Sequence, residues 1–391
     1  MNKYKNLNKG SVAITTFYGN TNQGSALQLY ALYSKIIQLG YTPLVMDFLN
    51  TKNLSYKLIR FCTMFNRGIG LIKEPGLFKY RELAKGGLLL PETIEKYNDF
   101  YKKKFLYTSD VYSKLSDIDA FITGSDQVWN LQVPNLHYTF YLRFVNKEKR
   151  IAYAASFGCN YIPEYNRKKL NAYLKDMRFI SVREHSGAAI VKETINREVL
   201  VALDPVLLVG KEFWDNEIRG QNKQDFKYIL CYFLDESLIG ETLAQRIKRE
   251  LNIEVRLVDT GVSFDNCKAE ALDPIQFVDL IKHAEYIITD SFHATAFSLL
   301  YSKKYYTISR QYKSRKEQKD RILSLMELTK TEDRYIQTFE ETEQTDICKT
   351  YDFEYVETIL QKKRCESELY LINSLESVIC DKKRKDMEGR I

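Results

Sequence analysis

The sequence predicts an α/β protein made of two doubly wound domains. Three observations carry this prediction. Short β-branched apolar runs alternate with helix-length segments along most of the chain, the pattern of parallel sheets covered by helices. The alternation starts near Ser11, breaks at a polar patch over 220–225 (GQNKQD) and restarts at Lys227. Several strands end in polar loops, and the carboxyl ends of strands are where an open α/β sheet binds ligands.

Residues 11–17 (SVAITTF) read as the first strand, and a polar, glycine-bearing loop follows over 18–25. Residues 26–39 have helical spacing, with Leu27, Tyr30, Ala31, Ser34 and Ile37 on one face and Gly40 as the stop. Residues 42–48 are the next strand. The connecting loop is neither GxGxxG nor a P-loop, so it carries no dinucleotide or NTP fingerprint. Asn20 and Gly24 are candidates to line a ligand cleft; the plainer reading is a simple βα connection.

Residues 51–115 interrupt the pattern. They hold 13 Lys/Arg and 6 Asp/Glu, so the whole net charge of +7 resides there. An apolar patch at 58–65 has Arg60 and Arg67 beside it, and Lys102–Lys104 lie among Tyr101, Phe105 and Tyr107. Such a segment suits an anionic acceptor or a membrane surface. A solvated helical insertion is the blander and preferred reading.

The strand at 120–123 (AFIT) runs into GSDQVWN, where Gly124 turns and Ser125 or Asp126 caps. Asp126 is a candidate base or ligand for an acceptor hydroxyl. Trp129 is a candidate sugar platform, although tryptophan is more often core. Strands at 150–158 and 179–183 follow, and Arg183 at the end of the second offers a fork for carboxylate or phosphate. Residues 199–209, broken by Asp204-Pro205, close the first domain.

The second domain repeats the scheme: strand 227–234, helix 237–250, strand 253–258, helix 274–284, strand 304–308 and helix 316–328. Its centre is residues 285–300 (EYIITDSFHATAFSLL), a strand, a tight loop and a helix start. The free N–H groups of that helix end suit an anion. His293, one of four histidines, stands at the junction with Ser291 and Phe292. A capped helix with a packed histidine is the alternative. A charged helical tail follows, with a frayed basic end at 381–385. The expected domains are 1–222 (with the basic insertion, as the acceptor side), 223–340 (the donor side) and a tail over 341–391.

Composition excludes several classes. Seven cysteines are scattered singly, without CxxC or a Cys/His cluster, so neither a zinc site nor a disulfide framework is expected. No signal peptide and no membrane span is expected, and the protein reads as cytoplasmic. Nucleic acid is not an expected partner, because the basic excess is confined to one insertion without a reader motif.

Taken in order, Gly19-Asn20…Gly24, GSDQVWN at 124–130, Ser156-Phe157-Gly158, Ser181-Val182-Arg183, Asp204-Pro205 and Asp290-Ser291-Phe292-His293 resemble the polysaccharide pyruvyl transferase family. The resemblance covers about residues 11–325. It implies two Rossmann-like domains in a GT-B-like arrangement, with a C-terminal helix packing back on the first domain. It implies transfer of pyruvate from phosphoenolpyruvate to sugar hydroxyls as a ketal, in surface polysaccharide biosynthesis, with no metal or other cofactor. His293 matches the family's catalytic histidine, and Arg183 looks like its donor-binding arginine. Members often carry an arginine two positions before that histidine; here the position is Ser291, and Arg310, Arg315 or Arg321 is the expected substitute. The implied acceptor is a sugar or lipid-linked oligosaccharide, with peripheral contact at the inner face of the membrane. Two other readings are a GT-B glycosyltransferase using a nucleotide sugar, with Asp259 or Asp290 on the ribose, and a non-catalytic sugar- or lipid-carrier-binding protein.

Overall fold

The computed structural model describes residues 9–19, 21–46, 88–105, 107–108, 115–131, 136–219, 226–310 and 319–388. Asn20, Arg315, the 58–65 patch with Arg60 and Arg67, and the 220–225 linker lie outside the described residues.

The first sheet contains β1 (Ser11–Thr15), β2 (Thr42–Met46), β3 (Tyr107–Thr108), β4 (Ala120–Thr123), β5 (Arg150–Ala155), β6 (Phe179–Val182) and β7 (Leu200–Val201). All its pairings are parallel, in the order β3-β2-β1-β4-β5-β6-β7. The second sheet contains β8 (Tyr228–Tyr232), β9 (Glu254–Val258), β10 (Ala269–Glu270), β11 (Tyr286–Thr289), β12 (Lys304–Ile308) and β13 (Tyr335–Ile336). It is also parallel, ordered β10-β9-β8-β11-β12-β13. Each order reverses beside the sheet's first strand, between β1 and β4 and between β8 and β11. Those two switch points are where open α/β sheets open a crevice.

The helices are α1 (Gln23–Gln38), α2 (Pro91–Lys104), α3 (Glu164–Lys175), α4 (His185–Ile195), α5 (Pro205–Leu208), α6 (Gly210–Glu217), α7 (Leu238–Leu251), α8 (Pro274–His283), α9 (Phe292–Leu300), α10 (Asp320–Thr329), α11 (Phe339–Gln344) and α12 (Phe353–Glu388). Helix α1 begins earlier than its apolar spacing indicates. The Asn22 side chain accepts from the Ser25 amide and caps it, so Gln23, Gly24 and Ser25 form the first turn rather than a loop. Helix α8 starts on a capping box of Asp273 and Gln276 followed by Pro274.

Most of α1 and all of α9 are buried, because they meet at the domain interface instead of facing water. One hydrophobic cluster runs through Leu27 and Tyr30 of α1, Val206 of α5, Trp214 of α6, Phe297 of α9 and Leu371 of α12. The Trp214 ring meets Phe297 edge-on at 5.1 Å and donates from Nε1 to the Val206 carbonyl at 2.9 Å. The chain's last helix crosses back to the first domain. Ser367 Oγ accepts from the Leu203 amide at 2.9 Å, and Tyr370 Oη donates to the Ala152 carbonyl at 2.9 Å. Helix α12 continues to Glu388, so the backbone is helical through the basic end at 381–385, which was expected to fray. Among the described residues no helix is long and apolar enough to cross a membrane.

Two aromatic residues of the basic insertion are core. Tyr101 and Phe105 are buried against Tyr30 and Phe100, which removes them from any surface for an acceptor or a membrane. Lys104 lies over the Tyr30 ring and pairs with Glu217 at 2.6 Å.

Candidate active site

The loops at the two switch points face each other. From the first sheet come Ser125 and Asp126 after β4, Ser156 after β5, Arg183 after β6 and Asp204 after β7. From the second come Asp290, Ser291, Phe292 and His293 after β11. Helix α1 lies between and contributes Gly24, Ser25 and Gln28.

Asp204 is the hub. It caps α5, with Oδ1 accepting from the Val206 amide at 3.0 Å. Its Oδ2 accepts from Arg183 Nη1 at 2.7 Å and lies 3.0 Å from Ser125 Oγ. The same oxygen is 3.5 Å from His293 Nε2, a contact across the domain interface and longer than a well-formed hydrogen bond. Asp126 sits on the other side of the guanidinium. Its Oδ1 is 3.6 Å from Arg183 Nη2, and its Oδ2 accepts from Ser25 Oγ at 2.8 Å. Asp126 has φ of +67°, a left-handed conformation that aspartate tolerates better than most residues.

All these groups are buried, so their charges act at close range. Burial pushes the Asp204 carboxyl upward, but His293 and then Arg183 outweigh it and hold the group well below the usual carboxylate range. Asp126 behaves likewise: burial is overcome by Arg183, His293 and Arg321. For Arg183 the burial penalty is outweighed by Asp204, Asp126 and Glu184, and its pKa is raised. Glu184 goes the other way, since burial exceeds the lowering by Arg183 and raises its pKa. Its Oε1 accepts from the Phe157 amide at 2.8 Å.

His293 is seated by backbone. A Cβ on Gly24 would lie 2.0 Å from His293 Nδ1, so only glycine lets α1 approach the ring this closely. Phe292 lies beneath the Arg183 guanidinium, 4.3 Å from ring centroid to Cζ, and edge-on to the His293 ring. A cavity of about 60 Å³ adjoins the cluster, walled by Arg183, Asp204, Leu207, Phe292, Leu325 and Lys363.

Several expected ligands have other roles. Trp129 has no exposed surface; it stacks on Tyr141 at 5.1 Å and donates to the Phe140 carbonyl, so it is core and not a sugar platform. Ser125 is fully buried and braces Asp204, with its amide held by Gln28 Oε1 at 3.1 Å. The Ser291 amide donates to Thr289 Oγ1 at 3.0 Å and so is committed within the protein. Gly24 packs on the histidine. Arg183 is inside the cluster, engaged by two carboxylates. Arg310 is at the end of β12, its Nε 2.8 Å from Asp290 Oδ2.

A family model for polysaccharide pyruvyl transferases matches residues 22–312, most of the chain. The chain belongs to the polysaccharide pyruvyl transferase family. The match spans every member of the cluster from Gly24 to His293. A search of curated proteins returned no match. Among solved structures, this transferase-family chain is similar to a Listeria monocytogenes protein described as a UDP-N-acetylglucosamine 2-epimerase, at 9% identity and TM-score 0.51 over 90% of this chain and 91% of that one. It is also similar to UDP-GlcNAc 2-epimerase from Neisseria meningitidis bound to UDP-GlcNAc (10% identity, TM-score 0.49, 93% and 99% covered) and to the wall teichoic acid polymerase TagF (11%, 0.48, 96% and 90%). At 9% identity the likeness to the Listeria monocytogenes protein speaks for the fold alone, which is GT-B-like.

Three members of the cluster escaped sequence reasoning in their contacts: Asp204, Ser25 and Glu184. Asp204 precedes a proline, which signals a helix cap and hides its second oxygen's role. Ser25 was read as loop. Glu184 follows Arg183 with no local signal of its own, and the fold buries it. Arg321, from the first turn of α10, is the later arginine whose charge reaches the cluster, acting on Asp126 and Glu184.

Proposed function

We propose that this family member transfers pyruvate from phosphoenolpyruvate to two hydroxyls of a sugar, with His293 moving the proton. The observation that supports this reading is the histidine of one domain set against Asp204, Arg183 and Asp126 of the other. Imidazole is the side chain that exchanges a proton near neutral pH. Asp204, whose Oδ2 lies 3.5 Å from Nε2 across the interface, orients the ring. In the reaction, the methylene carbon of the enol gains a proton and the adjacent carbon becomes electrophilic. A sugar hydroxyl adds to that carbon and loses its proton to the imidazole. The bond to phosphate then breaks, and phosphate departs with the electron pair. The second hydroxyl closes the ketal, and its proton leaves with phosphate.

The donor is a small dianionic or trianionic ester, so it needs positive charge. Arg183 at the centre and Arg321 from α10 supply it, which answers the missing arginine at position 291. The cluster is buried, so the domains part to admit substrate and close over it, as two-domain enzymes do to exclude water. The acceptor is a free or lipid-linked saccharide, met at the cytoplasmic side of the membrane.

Calorimetry on the purified protein with phosphoenolpyruvate, UDP and GDP tests the donor. Binding of phosphoenolpyruvate alone is expected; binding of a nucleotide alone would overturn the reading. Phosphate release against candidate saccharides then identifies the acceptor.

A further inference from the structure

The second sheet has the strand order of a nucleotide-binding sheet, and a helix assigned to the first domain reaches its carboxyl edge. In such sheets an acidic side chain following the second strand hydrogen-bonds a ribose hydroxyl. Here β9 is the second strand, lying beside β8, and Asp259 follows it directly. Asp259 Oδ2 accepts from the Leu90 amide at 2.9 Å and from Thr93 Oγ1 at 2.5 Å. Its Oδ1 accepts from the Gly261 amide at 3.2 Å. We infer that the first turn of α2 occupies the ribose position of the second domain and restricts the donor to one without a nucleoside. This deepens the phosphoenolpyruvate reading and rests on it for the identity of the donor.

The chemistry of the contact is that of a sugar. Thr93 presents an aliphatic hydroxyl to the carboxylate, as a ribose would, and Leu90 adds an N–H. Leu90 makes no side-chain cap, so Asp259 caps α2 from the opposite domain, where the helix dipole also favours a negative charge. Both Thr93 and Asp259 are buried. One turn on, Lys96 Nζ donates to the Ala271 carbonyl at 2.9 Å. Tyr97 is buried at the same junction; burial, then Tyr232, Tyr101 and Asp259, push its phenol well above the usual range. The other face of α2 is anchored to the first domain through Phe100 on Tyr30, at 5.7 Å between ring centroids, and Lys104 on Glu217. The helix thus contacts both domains. The second carboxylate at this edge is taken too: Asp290 accepts from the Leu234 and Asp235 amides and pairs with Arg310.

The test is the full-length double variant Leu90→Pro/Thr93→Val, which removes both donors and leaves Asp259 in place. Leu90 has φ of −60° and ψ of 136°, a conformation proline adopts. Calorimetry with UDP, GDP and phosphoenolpyruvate is run on wild type and variant, with hydrogen exchange followed over residues 91–97. Wild type is expected to bind neither nucleotide. The variant is expected to exchange faster in α2 and to gain at least about tenfold in affinity for a nucleotide, or ~1.4 kcal/mol. Its phosphoenolpyruvate affinity stays within about twofold. Faster exchange without a gain in nucleotide binding overturns the inference, as does unchanged protection of α2. Wild type binding UDP or GDP as tightly as the variant also overturns it. Thr93→Val alone serves if the double variant does not fold. Failure of wild type to bind phosphoenolpyruvate would count against the proposed donor and leave the nucleotide comparison intact.

Discussion

The two sheets share one strand order over six strands, the first adds β7, and they differ at their carboxyl edges. The first edge is a network of charged groups that satisfy one another: Asp204 and Asp126 grip Arg183, and Ser25 and Ser125 brace them. The second edge commits its carboxylates elsewhere: Asp290 pairs with Arg310, and Asp259 holds the first turn of α2. It offers His293 on a helix start, seated against glycine and 3.5 Å from Asp204 Oδ2, with Phe292 beneath the Arg183 guanidinium. The same strand order thus supports a charged cradle on one side and a mobile-proton group on the other. Function in this fold lies in the loops, and the scaffold only aims them.

The sharpest way to break the comparison is to empty the cradle. Arg183→Ala leaves two buried carboxylates without their cation, and unfolding free energy is expected to fall by about 3–5 kcal/mol. Thermal or urea unfolding measures this; a change under about 1 kcal/mol would mean that the network is not a structural unit. Donor affinity is expected to fall in the same variant, whereas the second edge is expected to respond chiefly in turnover. Gly24→Ala puts a methyl group into the His293 ring, and displacing a reacting group by about 1 Å costs roughly 10²-fold in turnover. The same change favours the helix by up to about 1 kcal/mol in backbone propensity, so any loss of stability is expected to be smaller than for Arg183→Ala. Turnover within about threefold of wild type would show that the ring has room to spare.

A smaller effect separates residues within the first edge by pH. Asp204 and Asp126 have depressed pKa values, so their stabilisation is present above the unfolded value of ~3.9 and is lost as pH falls through the folded values. Glu184 has a raised pKa, so its favourable contribution is present below the unfolded value of ~4.3 and is lost as pH rises through the folded one. Glu184→Gln keeps the acceptor for the Phe157 amide and is expected to raise the melting temperature at pH 8 more than at pH 5. Equal shifts at both pH values would contradict a buried carboxyl that resists ionisation.

The fold was legible because its signals are local. The run Tyr286–Thr289 is uniformly apolar or β-branched and uniformly buried, as a central parallel strand requires. The same reasoning located His293, Asp126 and Arg183 at strand ends. What it missed is set by distant partners. Asp204 has the sequence signature of a helix cap, and only the fold brings its other oxygen to Arg183 and His293. Trp129 follows a polar loop, yet Tyr141 and the Phe140 carbonyl enclose it. Thr93 lies in a basic insertion assigned to the first domain, and nothing nearby in sequence announces Asp259 as its partner. Local pattern reports strands, helices and loops; it does not report which carboxylate a loop will find.

The central claim is that His293 carries the proton while the first edge holds the ring in place and, through Arg183, binds the donor. The direct measurement is phosphate release from phosphoenolpyruvate by His293→Ala, with an acceptor identified by the saccharide screen and folding checked by thermal unfolding. The expected result is a folded protein whose turnover drops by about 10²–10⁴-fold, the usual contribution of general acid–base catalysis. A folded variant with turnover near wild type would contradict the account.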